Sequence, residues 1–105
     1  MTLGELKTLL DTTELKVAYH HWKAGGAPPL PYILYYEDSD LGFKADNVNY
    51  MPVKSTTIEL YSQTKDVANE AKIEQILADN KLSYEAYESY LETEDMYLRA
   101  YEITL

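Results

Sequence analysis

Leu3, Leu6, Leu9 and Leu10 recur at the spacing of one helical face, behind a capping box formed by Thr2 and Glu5. The pattern predicts a helix over 3–11, ended by Asp11-Thr12-Thr13, whose side chains favour a turn. Leu15, Val17, Tyr19 and His21 then alternate with Lys16, Ala18, His20 and Trp22, the period of a strand. Ala24-Gly25-Gly26-Ala27-Pro28-Pro29-Leu30-Pro31 cannot sit inside a sheet, because proline lacks the ladder donor and glycine has no side chain to pack. This stretch predicts an exposed loop, mobile from Lys23 to Pro31. Tyr32-Ile33-Leu34-Tyr35-Tyr36 is an uninterrupted apolar run and predicts a central, buried strand.

An acidic turn from Glu37 to Gly42 and a short strand from Val48 to Met51 follow, with Pro52 marking an edge. Thr56 to Ser62 alternates again, with Ile58 and Leu60 separated by Glu59. A helix is predicted over 65–79, with Thr64 as N-cap and Val67, Ala71, Ile73, Ile76 and Leu77 as its apolar arc. The last third fits two periods. Tyr84, Tyr87, Leu91, Leu98 and Tyr101 suit a helix, while Tyr84 to Leu91 also reads as a strand. The β-propensity of Tyr, Ile and Thr favours a hairpin across 82–105, turning at Glu92-Thr93-Glu94-Asp95. The order αββββαββ predicts an α+β fold as a single domain over 1–105. Its simplest closure is a mostly antiparallel sheet of about six strands with two helices packed on one face.

The chain has 105 residues, 46% of them hydrophobic, enough for one core. It has no Cys, which excludes disulfides and Cys-ligated zinc or iron–sulfur sites. The first ten residues lack the basic region of a signal peptide, so cytoplasmic synthesis is expected. Eighteen acids against nine bases give a net charge of −9. That surplus argues against phosphate-rich partners and anionic membranes, which need clustered Lys and Arg. Eleven tyrosines stand beside one Trp and one Phe. Tyr suits strands and interfaces, where a ring is buried while its hydroxyl stays wet.

Candidate chemistry is sparse. His20 and His21, placed on a strand, would point to opposite faces and so could not share a metal. Asp38 begins a stretch with some likeness to a calcium loop, but Phe43 and Asn49 stand where glycine and glutamate are required. Glu70 and Glu74 lie one turn apart within the apolar arc of the second helix. Paired carboxylates can do acid–base work. Here a place at the rim of the buried face is favoured, then a subunit or partner contact, and catalysis last. Gly25-Gly26 is followed by Pro28-Pro29 rather than a phosphate-binding helix, and no serine elbow is present. The expectation is a non-enzyme with no metal and no cofactor.

The succession from Ala27 to Tyr36, then Phe43 to Tyr50, then Ile58-Glu59-Leu60-Tyr61 with Lys65-Asp66, resembles a family of small phage proteins. The spacing of Glu70, Ile73, Glu74 and Leu77 and the ending Tyr97 to Ile103 belong to the same pattern. The resemblance covers roughly residues 15–105. The family belongs to the head–tail region of long-tailed (siphovirus) phages and prophages of Gram-positive hosts, and is similar in size and element order to tail-terminator, or tail-completion, proteins. It implies a subunit that forms a hexameric ring, caps the tail tube and presents a docking face to the head. The implied partners are other copies of the chain, the tail-tube protein and a head-completion protein, with no nucleic acid, membrane or small-molecule substrate. The implied location is the host cytoplasm during assembly and then the virion. Glu70, Glu74, Gly25, Gly26, Pro28 and Pro29 are the candidate interface residues. Two other readings stay open: another head–tail connector, or an acidic protein that mimics DNA and inhibits a host enzyme.

Overall fold

The computed structural model describes residues 1–38 and 55–105. Within them the chain forms α1 (Leu3–Asp11), β1 (Lys16–Tyr19), β2 (Tyr32–Glu37), β3 (Ser55–Ser62), α2 (Val67–Asp79), β4 (Tyr84–Leu91) and β5 (Met96–Thr104). The fold is α+β, with one mixed sheet in the order β1-β2-β3-β5-β4. Among the described residues there are five strands rather than about six. The expected strand from Val48 to Met51, and most of the acidic turn before it, lie outside them.

Helix α1 has the predicted bounds. The Thr2 hydroxyl accepts from the Glu5 amide at 3.1 Å, and the Glu5 carboxylate accepts from the Thr2 amide at 2.9 Å. That amide bond holds the Glu5 carboxyl below its ordinary range. For α2 the cap is Asp66, not Thr64. Asp66 Oδ1 accepts from the Asn69 amide at 3.1 Å, and the helix starts at Val67, two residues after the expected start at 65. Both residue types cap well, and the closer one wins here.

Three of the four strand pairings are antiparallel, while β1 and β2 run parallel, with Val17 opposite Ile33 and Tyr19 opposite Tyr35. Strand β1 stops at Tyr19 rather than running on to Trp22. His20 adopts φ +69°, and the His21 amide donates to the Tyr19 carbonyl at 2.8 Å in a three-residue turn. The left-handed residue ends the alternation. The chain then passes through 20–31 and re-enters beside β1 in the same direction.

Ladder register fixes the two faces of the sheet. Ile33, Tyr35, Ile58, Leu60, Tyr101 and Ile103 point to one face, where they form a core with Leu6 and Leu10 of α1 and Ile73 and Leu77 of α2. Both helices therefore pack on one face. The hairpin predicted across 82–105 is present, with β4 and β5 joined through Glu92–Asp95 in unbroken register from Tyr84↔Ile103 to Leu91↔Met96.

Candidate functional site

On α2 the buried stripe is Glu70, Ile73 and Leu77, whereas Val67 is 65% exposed and Ala71 is also exposed. The apolar arc read from the sequence is thus rotated toward the acids. Glu70 does not sit at the rim of the buried face. It occupies a core position at 7% exposure, and Glu74 takes the rim.

A buried carboxylate requires partners, since its isolated desolvation would cost many kcal/mol. Glu70 finds them within its own chain. Lys65 Nζ lies 2.7 Å from one carboxylate oxygen and 2.8 Å from the other, and also pairs with Glu88 of β4. Arg99 of β5 approaches from the sheet, its Nε 3.7 Å from Glu70 and its Nη2 3.8 Å from Glu74. The Tyr101 hydroxyl donates to Glu74 at 2.7 Å, and the Arg99 guanidinium lies 5.5 Å from the Tyr101 ring centre. Glu70 and Glu88, bonded to Lys65, raise its pKa. Burial raises that of Tyr101, and the Glu74 bond adds to it. The network fastens α2 to β4 and β5. Its acids already hold cations, and among the described residues they form no group that could hold a metal ion.

Arg99 is the residue that sequence reading missed. Its register partners Leu60 and Glu88 place it on the helix-facing side of the sheet. A lone Arg in the alternating run Met96 to Thr104, in phase with Tyr101 and Ile103, is the signal that points there.

The loop candidates lie elsewhere. Gly25 has φ +74°, and a Cβ on Gly26 would stand 3.2 Å from the Lys23 carbonyl oxygen, so this tight turn requires glycine. Gly25, Gly26 and Pro29 are exposed and Pro28 is half-buried. Trp22 anchors the start of the loop by an edge-on contact with Tyr32, ring centres 5.5 Å apart.

His20 and His21 do not diverge. With β1 ended, both are exposed and their Nδ1 atoms converge to 3.1 Å. The premise of opposite faces fails because His20 is in a turn. Among the described residues, no three His, Asp or Glu side chains are grouped to hold a metal ion.

The face of the sheet away from the helices carries a tyrosine cluster around Glu59. Tyr61 and Tyr36 donate to its two oxygens at 2.9 and 3.2 Å, and Tyr32 packs on Tyr61 with ring centres 5.2 Å apart. Near the end of the same sheet an open cleft of about 560 Å³ is lined by Ser55, Ser83, Tyr84, Glu85, Glu102, Ile103 and Thr104. Glu85 and Glu102 are direct register partners there, two like charges facing each other.

No protein-family model matches the chain, and no curated protein sequence matches it.

Proposed function

We propose that the chain is a structural protein of the head–tail region of a long-tailed phage, a tail terminator that caps the tail tube as a hexameric ring and offers a docking face to the head. The observation that carries this reading is the ordered succession of motifs from residue 15 to residue 105. A small α+β subunit suits it, as does the acidic surplus, since a channel that passes DNA should not hold it. The ring contact is assigned to the loop bearing Gly25, Gly26, Pro28 and Pro29 and to the neighbourhood of Glu70 and Glu74. Glu74 is the member of the pair open to a neighbour. Glu70 acts through Lys65 and Arg99, which it holds in place.

The test is a phage lacking this protein. Tails of abnormal, unregulated length support the terminator role, and rings seen by negative stain on tube ends support the hexamer. Tails of normal length that fail to join heads would make it another connector instead. The DNA-mimic reading needs free carboxylates along one surface. On the β4–β5 hairpin Glu85, Glu88 and Asp95 are instead tied to Tyr87, Lys65 and Tyr90.

A further inference from the structure

The two edges of the sheet are unlike. Strand β1 is four residues long and carries Lys16, both features that protect an edge from further pairing. Strand β4 is eight residues, roughly 27 Å of ladder. Among the described residues it has a neighbour only in β5. Its sequence, Tyr84-Glu85-Ala86-Tyr87-Glu88-Ser89-Tyr90-Leu91, has no proline, lysine or glycine, and its register is unbroken by a bulge. It also bears three of the large exposed side chains of the molecule, Tyr84 at 39%, Tyr87 at 50% and Tyr90 at 47%. Such an edge is a template for another strand.

We propose that β4 pairs antiparallel with β4 of a second copy, about a two-fold axis at Tyr87, to give a dimer with one continuous sheet. Symmetry selects the register. A two-fold perpendicular to the sheet keeps the helices of both copies on one side, so residues that face each other share a face. Tyr84 and Tyr90 lie on the helix side and Tyr87 on the other, as their partners in β5 show. Centring on Tyr87 then sets Tyr84 against the second copy's Tyr90 and Tyr87 against its own counterpart. Glu85 faces Ser89 and Glu88 faces Ala86, so no acid meets an acid. Centring one residue later sets Glu88 against itself. Centring one residue earlier removes Tyr90 from the ladder. The chosen register also brings Lys81, just before the strand, to the same end as the second copy's acidic turn at Glu92–Asp95. Aromatic cross-strand pairs stabilise a ladder and opposed like charges weaken it. The pattern Tyr-x-x-Tyr-x-x-Tyr with acids between is thus complementary to its own reverse.

This inference does not rest on the ring. An isologous two-fold contact closes on itself, whereas a six-fold ring needs a heterologous one. The dimer describes the free chain.

The experiment uses the free, full chain. Analytical ultracentrifugation over a concentration series should show a monomer–dimer equilibrium. Because the chain has no native Cys, Tyr87→Cys is a clean probe. Across a two-fold the two Cα atoms stand about 4.5–5.5 Å apart, within disulfide reach. Tyr87→Cys should cross-link to dimer under mild oxidation, and Lys23→Cys in the loop should not. Tyr87→Glu should weaken dimerisation about tenfold or more by opposing two carboxylates. Mixing Tyr87→Glu with Tyr87→Lys should restore dimer as the heterodimer. A wild-type chain that stays monomeric at several hundred micromolar overturns the proposal. So does a Tyr87→Glu and Tyr87→Lys mixture that does not associate. Both outcomes leave tail length in the deletion phage, and hence the terminator reading, untouched.

Discussion

Replacing Glu70 by Ala removes a buried carboxylate from between two cations of its own chain. At an effective dielectric near ~20, unit charges about 4 Å apart attract by about 4 kcal/mol before desolvation is counted. Truncating one member of a buried pair leaves the other uncompensated, and costs about 3–5 kcal/mol where neither has another partner. Here both cations have recourse. Lys65 is 43% exposed and regains water, while Arg99 keeps Glu74 at 3.8 Å. The residual penalty falls on Arg99, whose buried Nε has no hydrogen-bond partner even in the native chain. We therefore expect Glu70→Ala to cost about 2 kcal/mol, below the usual range for a buried pair. For a domain of this size that lowers the melting temperature by about 8–15 °C. Urea unfolding measures it directly, with the midpoint shifted and the m-value unchanged. Adding Arg99→Ala to Glu70→Ala should cost less than Arg99→Ala does in the wild type, the signature of coupled groups. A loss under about 0.5 kcal/mol would refute the reasoning. If such a stable variant also failed to cap tails, the carboxylate would be an interface group rather than a fastening within the subunit.

Glu102→Lys turns the opposed pair with Glu85 into an attractive one, and should stabilise the hairpin by about 0.5–1 kcal/mol in the same urea assay; no gain would mean the two acids do not meet across the ladder. Stability should also fall in alkali. Burial, then the Glu59 and Glu74 carboxylates, push the hydroxyls of Tyr61 and Tyr101 above the ordinary phenol range. The unfolded chain releases these protons near pH ~10 while the native state retains them, so the stabilisation is whole below that pH and is lost as pH rises toward the folded values. The urea midpoint should drop between about pH 9 and about pH 11, and Tyr61→Phe with Tyr101→Phe should flatten that slope; an unchanged slope would count against it. Backbone amides from Lys23 to Ala27, all exposed, should exchange faster than those of α2, and equal protection would contradict a mobile loop.

Local chemistry makes much of this fold legible in the sequence. The capping box and leucine spacing gave α1 its bounds, and Glu92–Asp95 marked the hairpin turn between two alternating runs. What local pattern does not hold is topology. Strands β1 and β2 would alternate in the same way whether parallel or antiparallel, and nothing in residues 20–31 encodes the direction of return. The end of β1 depends on one backbone angle at His20, which leaves the period of two intact on paper while removing it in space. The place of Glu70 depends on a third factor. Hydrophobic spacing on α2 defines an arc some residues wide, and its centre is decided by what lies across from it. Arg99 and Tyr101, a whole hairpin away in sequence, turn the helix so that an acid and not Val67 faces inward.

The last strand in chain order lies inside the sheet, between β3 and β4. Vectorial synthesis therefore meets an awkward interval. A nascent chain that has emerged through Leu91 has made β4 but has nowhere to put it, and the flank of β3 that will receive β5 is bare. The β4–β5 hairpin, joined by a short turn, can fold on itself as soon as Met96 onward appears, and then docks on β3 as a unit. Until that moment neighbouring nascent chains on one message expose the same unpaired strand at close quarters. Arrival of residues Met96–Thr104 covers the inner edge of β4 and the bare flank of β3, so the commitment of the chain to its fold is deferred to the synthesis of these residues.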